Sequence, residues 1–423
     1  MVSRRGFLKS GGMALLGVGL MGGIPAFLAE AAASSKFVGP YKKKKIMVCI
    51  FQRGAMDGLM AVTPFTDENL KAARPTLFLS AAKGGNQKPL IDLDGRFGLH
   101  PSMSAFEPLF RDKRLAIVHG IGSPNNTRSH FDAQDYMEAG TPFNKGTSSG
   151  WLNRAVGLLG HDAATPFQAV SLTSSLPRSF YGDHPSVAIS NLQDFAIQMR
   201  GNPNGANMAA KSFEDLYGQT TSGLLKETGK ESFDAVKMLQ KNDVRNYKPA
   251  ANANYPNTAL GNSLKQIAQL IKMDVGLEIA FTESGGWDTH FNQGSDTGIF
   301  ARNVNDLSNC IVAFWNDISA YQDDVTLMTM TEFGRTVHQN GTGGTDHGRA
   351  SCNFILGADV NGGIVHGDIK PLSVDNLEDG RDLAVTTDFR SVFSEVADKH
   401  LKINNDQVLF PDWKGNKIGV MKG

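Results

Sequence analysis

The sequence predicts an α/β protein, built as a three-layer α/β/α sandwich around a mostly parallel central sheet. Continuous apolar runs with β-branched residues, typical of strands buried on both faces, alternate along the chain with segments of helical periodicity. Such alternation places helices on both faces of one sheet. The 423 residues are enough for one large domain of this kind, and 41% of them are hydrophobic and can fill its core.

The individual elements follow from these patterns in chain order. The apolar runs predict strands at 46–51, 115–121, 167–172, 275–281, 325–330 and 353–356. Helical spacing of apolar residues predicts helices at 104–110, 131–139, 260–271, 304–321 and 389–401. Ser129 stands at or near the start of the second helix, and Gly140 ends it. Residues 190–255 contain few strand signals and are predicted to form a helical insertion.

The N-terminal residues 1–33 are predicted to be a twin-arginine signal peptide. They contain the motif Ser3-Arg4-Arg5-Gly6-Phe7-Leu8-Lys9, and the apolar stretch that follows is short and interrupted by glycines and Pro25. A retained membrane-spanning helix, the alternative, needs about 20 solidly apolar residues. We therefore expect the twin-arginine machinery to export the folded protein to the periplasm or beyond, without a stable membrane span after cleavage. A basic linker at 34–45 then leads into the main domain at 46–420.

Composition excludes several classes of function. Lys and Arg number 42, as do Asp and Glu, so the chain has no overall basic field to hold nucleic acid. No glycine-rich phosphate loop of the Walker or dinucleotide type occurs, so we expect no nucleotide cofactor. The three cysteines, Cys49, Cys310 and Cys352, are an odd number in apolar surroundings and are predicted to be buried free thiols.

Three short segments in the C-terminal half carry metal-ligand side chains. Asp288 and His290 follow one predicted strand, Glu332 follows the next, and Asp346 and His347 lie in a Gly-rich loop beyond it. Open α/β sheets bind ligands at the carboxyl ends of their strands. Carboxylates with imidazoles suit zinc, manganese or iron, whereas carboxylates alone suit magnesium or calcium. The sequence predicts a divalent-metal site here, although each pair taken alone is also compatible with an ordinary surface loop.

Further candidates come from two other loops. Asp57 ends the first strand and is either an additional metal ligand or a turn residue. Ser129, at a helix N-terminus, is a candidate nucleophile because free backbone N–H groups there stabilise an alkoxide; the alternative, preferred if there is no metal cluster, is a plain N-cap beside a surface histidine. Beside it, Arg128 is a candidate clamp for a phosphate or sulfate oxygen, and His130 is a candidate metal ligand.

Arg335 is the second candidate clamp. It follows Glu332 by three residues in the segment Glu332-Phe333-Gly334-Arg335. Two roles are open for its guanidinium, either holding a substrate anion or pairing with Glu332.

Taken together, these motifs resemble an exported bacterial family, domain of unknown function 1501, over essentially the whole mature chain. They are the twin-arginine leader, Gly54-Ala55-Met56-Asp57-Gly58-Leu59, Leu99-His100-Pro101, Arg128-Ser129-His130-Phe131-Asp132-Ala133-Gln134, Gly286-Trp287-Asp288-Thr289-His290, Glu332-Phe333-Gly334-Arg335-Thr336 and Asp346-His347-Gly348. That family is similar to the alkaline phosphatase and sulfatase superfamily. The resemblance implies an alkaline phosphatase-like α/β/α sandwich with a metal site at the strand ends.

The resemblance also implies roles for single residues. Asp288 and His347 match ligands of one metal, with His290 as a third, and Ser129 falls at the place of the nucleophile. A second metal is implied at Asp57 and Glu332, without an imidazole unless His130 supplies it. The superfamily usually spaces the Asp and His of the first site four residues apart, whereas here they are two apart. It also carries Asp-His where this chain has Glu332-Phe333.

The functional hypothesis from the sequence is an exported metal-dependent hydrolase that acts on a phosphate or sulfate ester or a related anionic group. Its substrate is expected to be a small anionic ester. The main alternative is a non-catalytic binding or assembly protein of the cell envelope on the same fold, whose partner is an envelope component. A third hypothesis is an enzyme that modifies lipid or peptidoglycan.

Overall fold

The structure, a computed structural model, describes residues 44–83, 87–161, 163, 165–192 and 246–423. The predicted signal peptide, nearly all of the linker, and residues 193–245 of the predicted helical insertion lie outside these ranges. Among the helices of the described residues, none combines the length and the apolar character needed to cross a membrane.

The described chain alternates strands and helices as predicted. The strands are β1 (Ile46–Gln52), β2 (Val62–Pro64), β3 (Ile91–Asp92), β4 (Phe97–Leu99), β5 (Leu115–Gly122), β6 (Ala169–Ser171), β7 (Val187–Ala188), β8 (Ile279–Ser284), β9 (Val325–Met330), β10 (Arg335–Gln339), β11 (Thr345–His347), β12 (Ser351–Gly357), β13 (Val365–His366) and β14 (Thr387–Asp388). The α-helices are α1 (Gly58–Ala61), α2 (Glu68–Ala73), α3 (Phe106–Arg111), α4 (His130–Ala139), α5 (Trp151–Gly157), α6 (Ala259–Lys272), α7 (Ile299–Asp317), α8 (Phe389–Leu401) and α9 (Asp406–Leu409).

The central sheet has nine strands in the order β13-β5-β12-β9-β1-β8-β6-β7, with β14 also paired to β5. β1 lies between β9 and β8 and is parallel to both. β12 is antiparallel to its neighbours β5 and β9, and the other pairs of this sheet are parallel. The prediction of a mostly parallel sheet is confirmed.

Two hydrophobic cores lie on the two faces of this sheet. Side chains of β1 alternate between them, because successive residues of a strand point to opposite faces. Val48 and Ile50 pack in the core that also contains the apolar residues of α6 and α7. Met47, Cys49 and Phe51 pack in the core beneath α5 and α8. Helices therefore cover both faces, and the protein is the three-layer α/β/α sandwich that the sequence predicts.

Several element boundaries differ from the predictions. The strand predicted at 275–281 begins later, as β8, because Asp274 and Gly276 have positive φ angles of 49° and 80° and turn the chain. The helix predicted at 304–321 covers Ile299–Asp317 and gives way to a 3₁₀-helix at Ser319–Asp324. The strand predicted at 325–330 and the helix predicted at 389–401 are confirmed. The three cysteines are free and buried, as predicted.

One edge of the sheet gathers the candidate residues. β1, β8 and β9 are parallel neighbours and end in register, with Gln52 beside Ser284 and Phe51 beside Met330. The segments that leave these strands, the N-terminus of α4 and the antiparallel pair β10–β11 meet beyond this edge. The predicted Gly-rich loop around Asp346 and His347 is partly wrong, because both residues lie on β11. Pairing with β10 gives these residues an extended backbone instead of a loop.

Candidate metal centre

His130, Asp288 and His347 meet beyond the carboxyl edge of the sheet, with one ligand atom of each within 4.8 Å of the others. The Nε2 atoms of His130 and His347 lie 3.4 Å and 3.2 Å from Asp288 Oδ1. His290 joins them, because its Nε2 lies 3.1 Å from the same oxygen and 2.9 Å from His347 Nε2. We call these four residues the His-Asp cluster. Its three imidazole nitrogens and one carboxylate oxygen surround one small volume.

Each imidazole of the cluster is held through its other nitrogen. The acceptors are carboxylate or carbonyl oxygens, which cannot donate, so each Nδ1 carries the proton and each Nε2 keeps a lone pair. The Nδ1–oxygen pairs are His130 with Glu332 Oε1 at 2.8 Å, His347 with the Arg128 carbonyl at 2.8 Å, and His290 with Asp346 Oδ1 at 2.9 Å. Histidines that bind metals are oriented by such partners. Glu332 and Asp346 were predicted to be metal ligands, but in the structure each carboxylate accepts a hydrogen bond from the Nδ1 atom of a cluster histidine.

The cluster fits a divalent cation. The Nε2 lone pairs of His290 and His347 face each other at 2.9 Å, an arrangement that needs a cation or a proton between them. His130 Nε2 is buried and has no hydrogen-bond partner, although it lies close to Asp288. Buried polar atoms are seldom left unpaired. Three imidazoles and one carboxylate form a donor set that suits zinc and related transition metals.

Asp288 also receives a buried positive charge. The Arg335 Nη1 atom donates to Asp288 Oδ1 at 2.8 Å, while the rest of this guanidinium is bound to Thr345. Burial opposes ionisation of Asp288, but the hydrogen bond and charge of Arg335 outweigh it and lower the pKa of the carboxyl. The alternative pairing of Arg335 with Glu332 is wrong. The backbone after β9 carries Glu332 into the buried interior, while Arg335, on β10, turns toward Asp288.

Glu332 is a fully buried hydrogen-bond acceptor. Its Oε1 accepts from Gly54 N at 2.8 Å, from Gln134 Nε2 at 2.9 Å and from His130 Nδ1. Burial opposes its ionisation, yet the hydrogen bonds from His130 and Gln134 prevail and lower the pKa of Glu332. The hydrogen bond to Glu332 in turn raises the pKa of His130. Gln134 is a site residue that was not predicted from the sequence, although its place four residues after His130 on one helix puts it on the same helix face.

A buried aromatic ring packs against two histidines of the cluster. The buried Phe333 ring stacks on His130, with ring centroids 5.0 Å apart and an angle of 29° between the planes. Its centroid also lies 5.1 Å from that of His347. Because a phenyl ring offers no ligand atom, this side excludes water and fixes the two imidazoles without adding a ligand.

Asp57 lies apart from the cluster. It is 1% exposed and caps α1, and both of its oxygens accept from the Arg74 guanidinium, at 2.8 Å and 3.1 Å. Gln293 Nε2 donates to the same carboxylate at 2.7 Å. The second metal site that the resemblance implies would need Asp57, Glu332 and an imidazole at one place, and the structure does not bring these three groups together. Asp57 is engaged by Arg74, while Glu332 is the acceptor for His130.

The residues before α4 have mixed outcomes. Ser129 is exposed and is the N-cap of α4, where its side chain accepts from Asp132 N at 3.5 Å. It therefore stands at the helix N-terminus, directly before a cluster histidine. The Arg128 guanidinium donates to Asp379 and Asp382, so the predicted oxygen clamp is already paired with two carboxylates.

The sequence of the chain matches one known protein family. Residues 44–410 match the model of a family described as "Protein of unknown function (DUF1501)". A search of curated proteins gives no match.

Several solved structures are similar to the chain at low identity. The C-terminal periplasmic domain of EcEptC from Escherichia coli, a zinc complex, is 9% identical with a TM-score of 0.35, covering 76% of this chain and 77% of that one. An alkaline phosphatase superfamily protein from Vibrio parahaemolyticus is 10% identical with a TM-score of 0.34, covering 84% and 76%. The PsFucS1 sulfatase from Pseudoalteromonas sp. is 11% identical with a TM-score of 0.36, covering 93% and 75%. At such distances no residue role is carried over to this chain.

Proposed function

The chain belongs to the DUF1501 family of proteins of unknown function, and on this premise we propose that it is a metal-dependent hydrolase of a phosphate or sulfate ester or a related anionic group. In this proposal the twin-arginine machinery exports the folded protein, which then acts in the periplasm or outside the cell. The observation that carries the proposal is the convergence of three imidazole Nε2 atoms on Asp288 Oδ1. The metal is zinc, manganese, calcium or magnesium, of which the nitrogen-rich donor set favours the first two.

The residues divide into ligands and residues that hold them. His130, Asp288, His290 and His347 would hold the ion, and Asp288 keeps its negative charge because Arg335 lowers its pKa. The chemistry that a bound ion would supply is polarisation of an ester oxygen and compensation of the charge that develops on it. The side chain of Asp288 is 46% exposed, so an anionic group from solvent can reach the cluster.

Ser129 is the nucleophile of this proposal. Its hydroxyl is exposed, directly precedes His130, and lies at the start of α4, where the helix dipole stabilises an alkoxide. Attack forms a bond from Ser129 Oγ to phosphorus or sulfur and breaks the bond to the ester alcohol, which leaves with the serine proton. Water then releases the inorganic anion and restores the hydroxyl.

A second candidate function is a non-catalytic envelope protein that binds the metal and an anionic partner. Three contacts favour it. The charge of Arg128 is paired with Asp379 and Asp382, and that of Arg335 with Asp288, so neither predicted clamp is free. In addition, the Ser129 side chain is used as the N-cap of α4.

Metal analysis of the purified folded protein, followed by a panel of phosphate and sulfate esters, separates these candidates. The variants are Ser129→Ala and Asp288→Asn, and Thr258→Ala is the matched control because it removes the N-cap of α6. Bound metal with turnover that is lost in both variants but retained in the control supports the hydrolase. Bound metal without turnover supports the binding protein. A protein that retains no divalent metal overturns both proposals.

A further inference from the structure

A chain of hydrogen bonds runs from the His-Asp cluster to Arg53, the residue that follows β1. His130 Nδ1 and Gln134 Nε2 both donate to Glu332 Oε1, at 2.8 Å and 2.9 Å. The other end of the Gln134 amide, Oε1, accepts from Arg53 Nη1 at 3.0 Å. Arg53 is therefore connected to a cluster histidine through two intervening side chains.

The two neighbours of Gln134 fix the orientation of its amide. A carboxylate can only accept a hydrogen bond, and a guanidinium can only donate one. Glu332 therefore requires the Nε2 end of the amide, and Arg53 requires the Oε1 end. Without Arg53, the Oε1 end loses a charged donor, and the side chain regains rotamers in which it no longer donates to Glu332.

The guanidinium of Arg53 is itself held from several sides. Its Nη1 also donates to Glu138 Oε1 at 3.0 Å, and its Nε donates to Glu283 Oε2 at 2.5 Å. Glu138 is 3% exposed, and its other oxygen accepts from the backbone N and the hydroxyl of Ser179. The guanidinium also lies over the Phe51 ring, 4.4 Å from its centroid. Arg53 is thus a fixed point that orients the amide.

The backbone next to Arg53 contacts the same site. Gly54 N donates to Glu332 Oε1 at 2.8 Å, so it holds the same oxygen that accepts from Gln134. Gly54 has a φ angle of 115°, and a Cβ atom there would lie 2.6 Å from the backbone N of Asp288. The turn after β1 therefore supports Glu332 and packs against the backbone of a cluster residue.

We propose that Arg53 is a positioning residue of the metal centre. It fixes the Gln134 amide, which donates to Glu332. Glu332 then holds His130 Nδ1, and this hydrogen bond directs the Nε2 atom of the same ring toward Asp288. The inference rests on the proposed function, because it assigns a residue that acts on the proposed metal centre through other side chains.

A role as an ordinary ion-pair partner of Glu138 and Glu283 predicts the opposite effect on metal binding. A positive charge repels a cation, so charge alone predicts tighter metal binding when Arg53 is replaced by a neutral residue. The positioning role predicts weaker binding, because His130 is then held less firmly. The sign of the change in zinc affinity separates the two roles.

Zinc competition with a metal-binding dye tests the proposal. Arg53→Met and Gln134→Met should each weaken zinc binding about threefold, which is less than the loss of a direct partner of a ligand. The double variant should bind zinc no more weakly than Gln134→Met alone, because Arg53 acts through the amide that is then absent. The visible spectrum of the cobalt-loaded protein depends on ligand geometry and should change in both single variants.

The matched control is Arg178→Met. The Arg178 side chain is 17% exposed, compared with 24% for Arg53, and it also donates to a residue of α4, Asp135, at 3.0 Å. It donates in addition to the carbonyls of Thr147 and Ser148. Its replacement removes a largely buried charge beside α4 and leaves Arg53 with its partners, so zinc affinity should stay within about twofold.

The outcomes distinguish failure of this inference from failure of the proposed function. Unchanged or tighter zinc binding in Arg53→Met, an unchanged cobalt spectrum, or an equal loss in Arg178→Met overturns the positioning role and leaves the metal centre standing. A further loss when Arg53→Met is added to Gln134→Met also overturns it. A wild-type protein that binds no zinc overturns the proposed function, and the inference falls with it.

Discussion

Two aspartate–arginine pairs lie beyond the carboxyl edge of the sheet, and they differ in their exposure to solvent. We call Asp57 with Arg74 the sealed centre, and Asp288 with Arg335 the open centre. Each aspartate follows a central parallel strand, and each arginine side chain is almost fully buried. Gln293 connects the centres, since it donates to Asp57 and accepts from the hydroxyl of Thr345, the residue to which Arg335 donates.

The difference between the centres lies in their free acceptor positions. The Asp57 side chain is 1% exposed and accepts from Arg74, Gln293 and the backbone of Met60. The Asp288 side chain is 46% exposed and faces three imidazole nitrogens. The same ion pair therefore stabilises the fold where every acceptor is used, and prepares a ligand where an acceptor remains accessible to a cation.

The largest expected effect is on stability at the sealed centre. Asp57→Asn leaves the Arg74 charge buried without its counter-ion, which should cost about 3–5 kcal/mol of unfolding free energy. Asp288→Asn should cost less, because the Asp288 side chain is 46% exposed and water there can solvate the Arg335 Nη1 atom that loses its partner. Urea unfolding of the metal-free proteins measures both. Similar losses in the two variants would remove the distinction between the centres.

The next largest expected effect is a loss of stability at acidic pH. Burial lowers the pKa of His100 and of His119, both near Asp57, to about 4 from an ordinary value of 6.5. As the pH falls, the unfolded chain binds protons at these two histidines before the folded protein does. The free energy of unfolding is therefore highest above pH 6.5 and decreases as the pH falls toward 4. The loss should reach about 3 kcal/mol for each histidine.

Urea unfolding of the metal-free protein across this pH range measures the loss of stability, and removing the metal excludes any effect of its release. The variant His119→Gln should show a shallower dependence of unfolding free energy on pH than the wild type. An unchanged slope in this variant would contradict the assignment to His119.

The sequence predicted the sheet better than the hydrogen bonds at its edge. β1 and β9 were predictable because strands buried on both faces need continuous apolar runs. His290 could be placed near Asp288 because both residues follow β8 at the carboxyl edge of the sheet, whereas His347 reaches this edge on β11, where the sequence predicted a loop. The capture of Asp57 by Arg74, 17 residues away, could not be predicted, since it depends on how α2 packs against β10. Tertiary packing decides which carboxylates keep free lone pairs.

At the open centre, the next effect is on metal affinity rather than on the fold. His347→Ala removes one of three imidazole ligands and should weaken zinc binding at least about 100-fold, with little change in the stability of the metal-free protein. Competition with a zinc-binding dye measures the affinity. The control is His338→Ala, which removes an exposed histidine of β10 that is not one of the assigned ligands. Equal weakening in the control would show that the assigned ligands are wrong.

The smallest expected effect is a difference in zinc affinity between variants of the two carboxylates that accept hydrogen bonds from cluster histidines. Glu332 is fully buried and Asp346 has a 54% exposed side chain, although each accepts from the Nδ1 of a cluster histidine. Glu332→Gln keeps the shape and removes the charge that holds His130, which should weaken zinc binding about tenfold. Asp346→Asn should weaken it less than about threefold, because water screens and replaces an exposed carboxylate.

Dye competition on the two variants, with circular dichroism to verify folding, makes this comparison. A larger loss in Asp346→Asn than in Glu332→Gln would mean that burial does not strengthen the hold of a carboxylate on its imidazole. The distinction between sealed and open carboxylates would then apply only to the aspartate–arginine pairs. The predicted order would extend it to Glu332 and Asp346, since a sealed carboxylate fixes its partner whether that partner is a guanidinium or an imidazole.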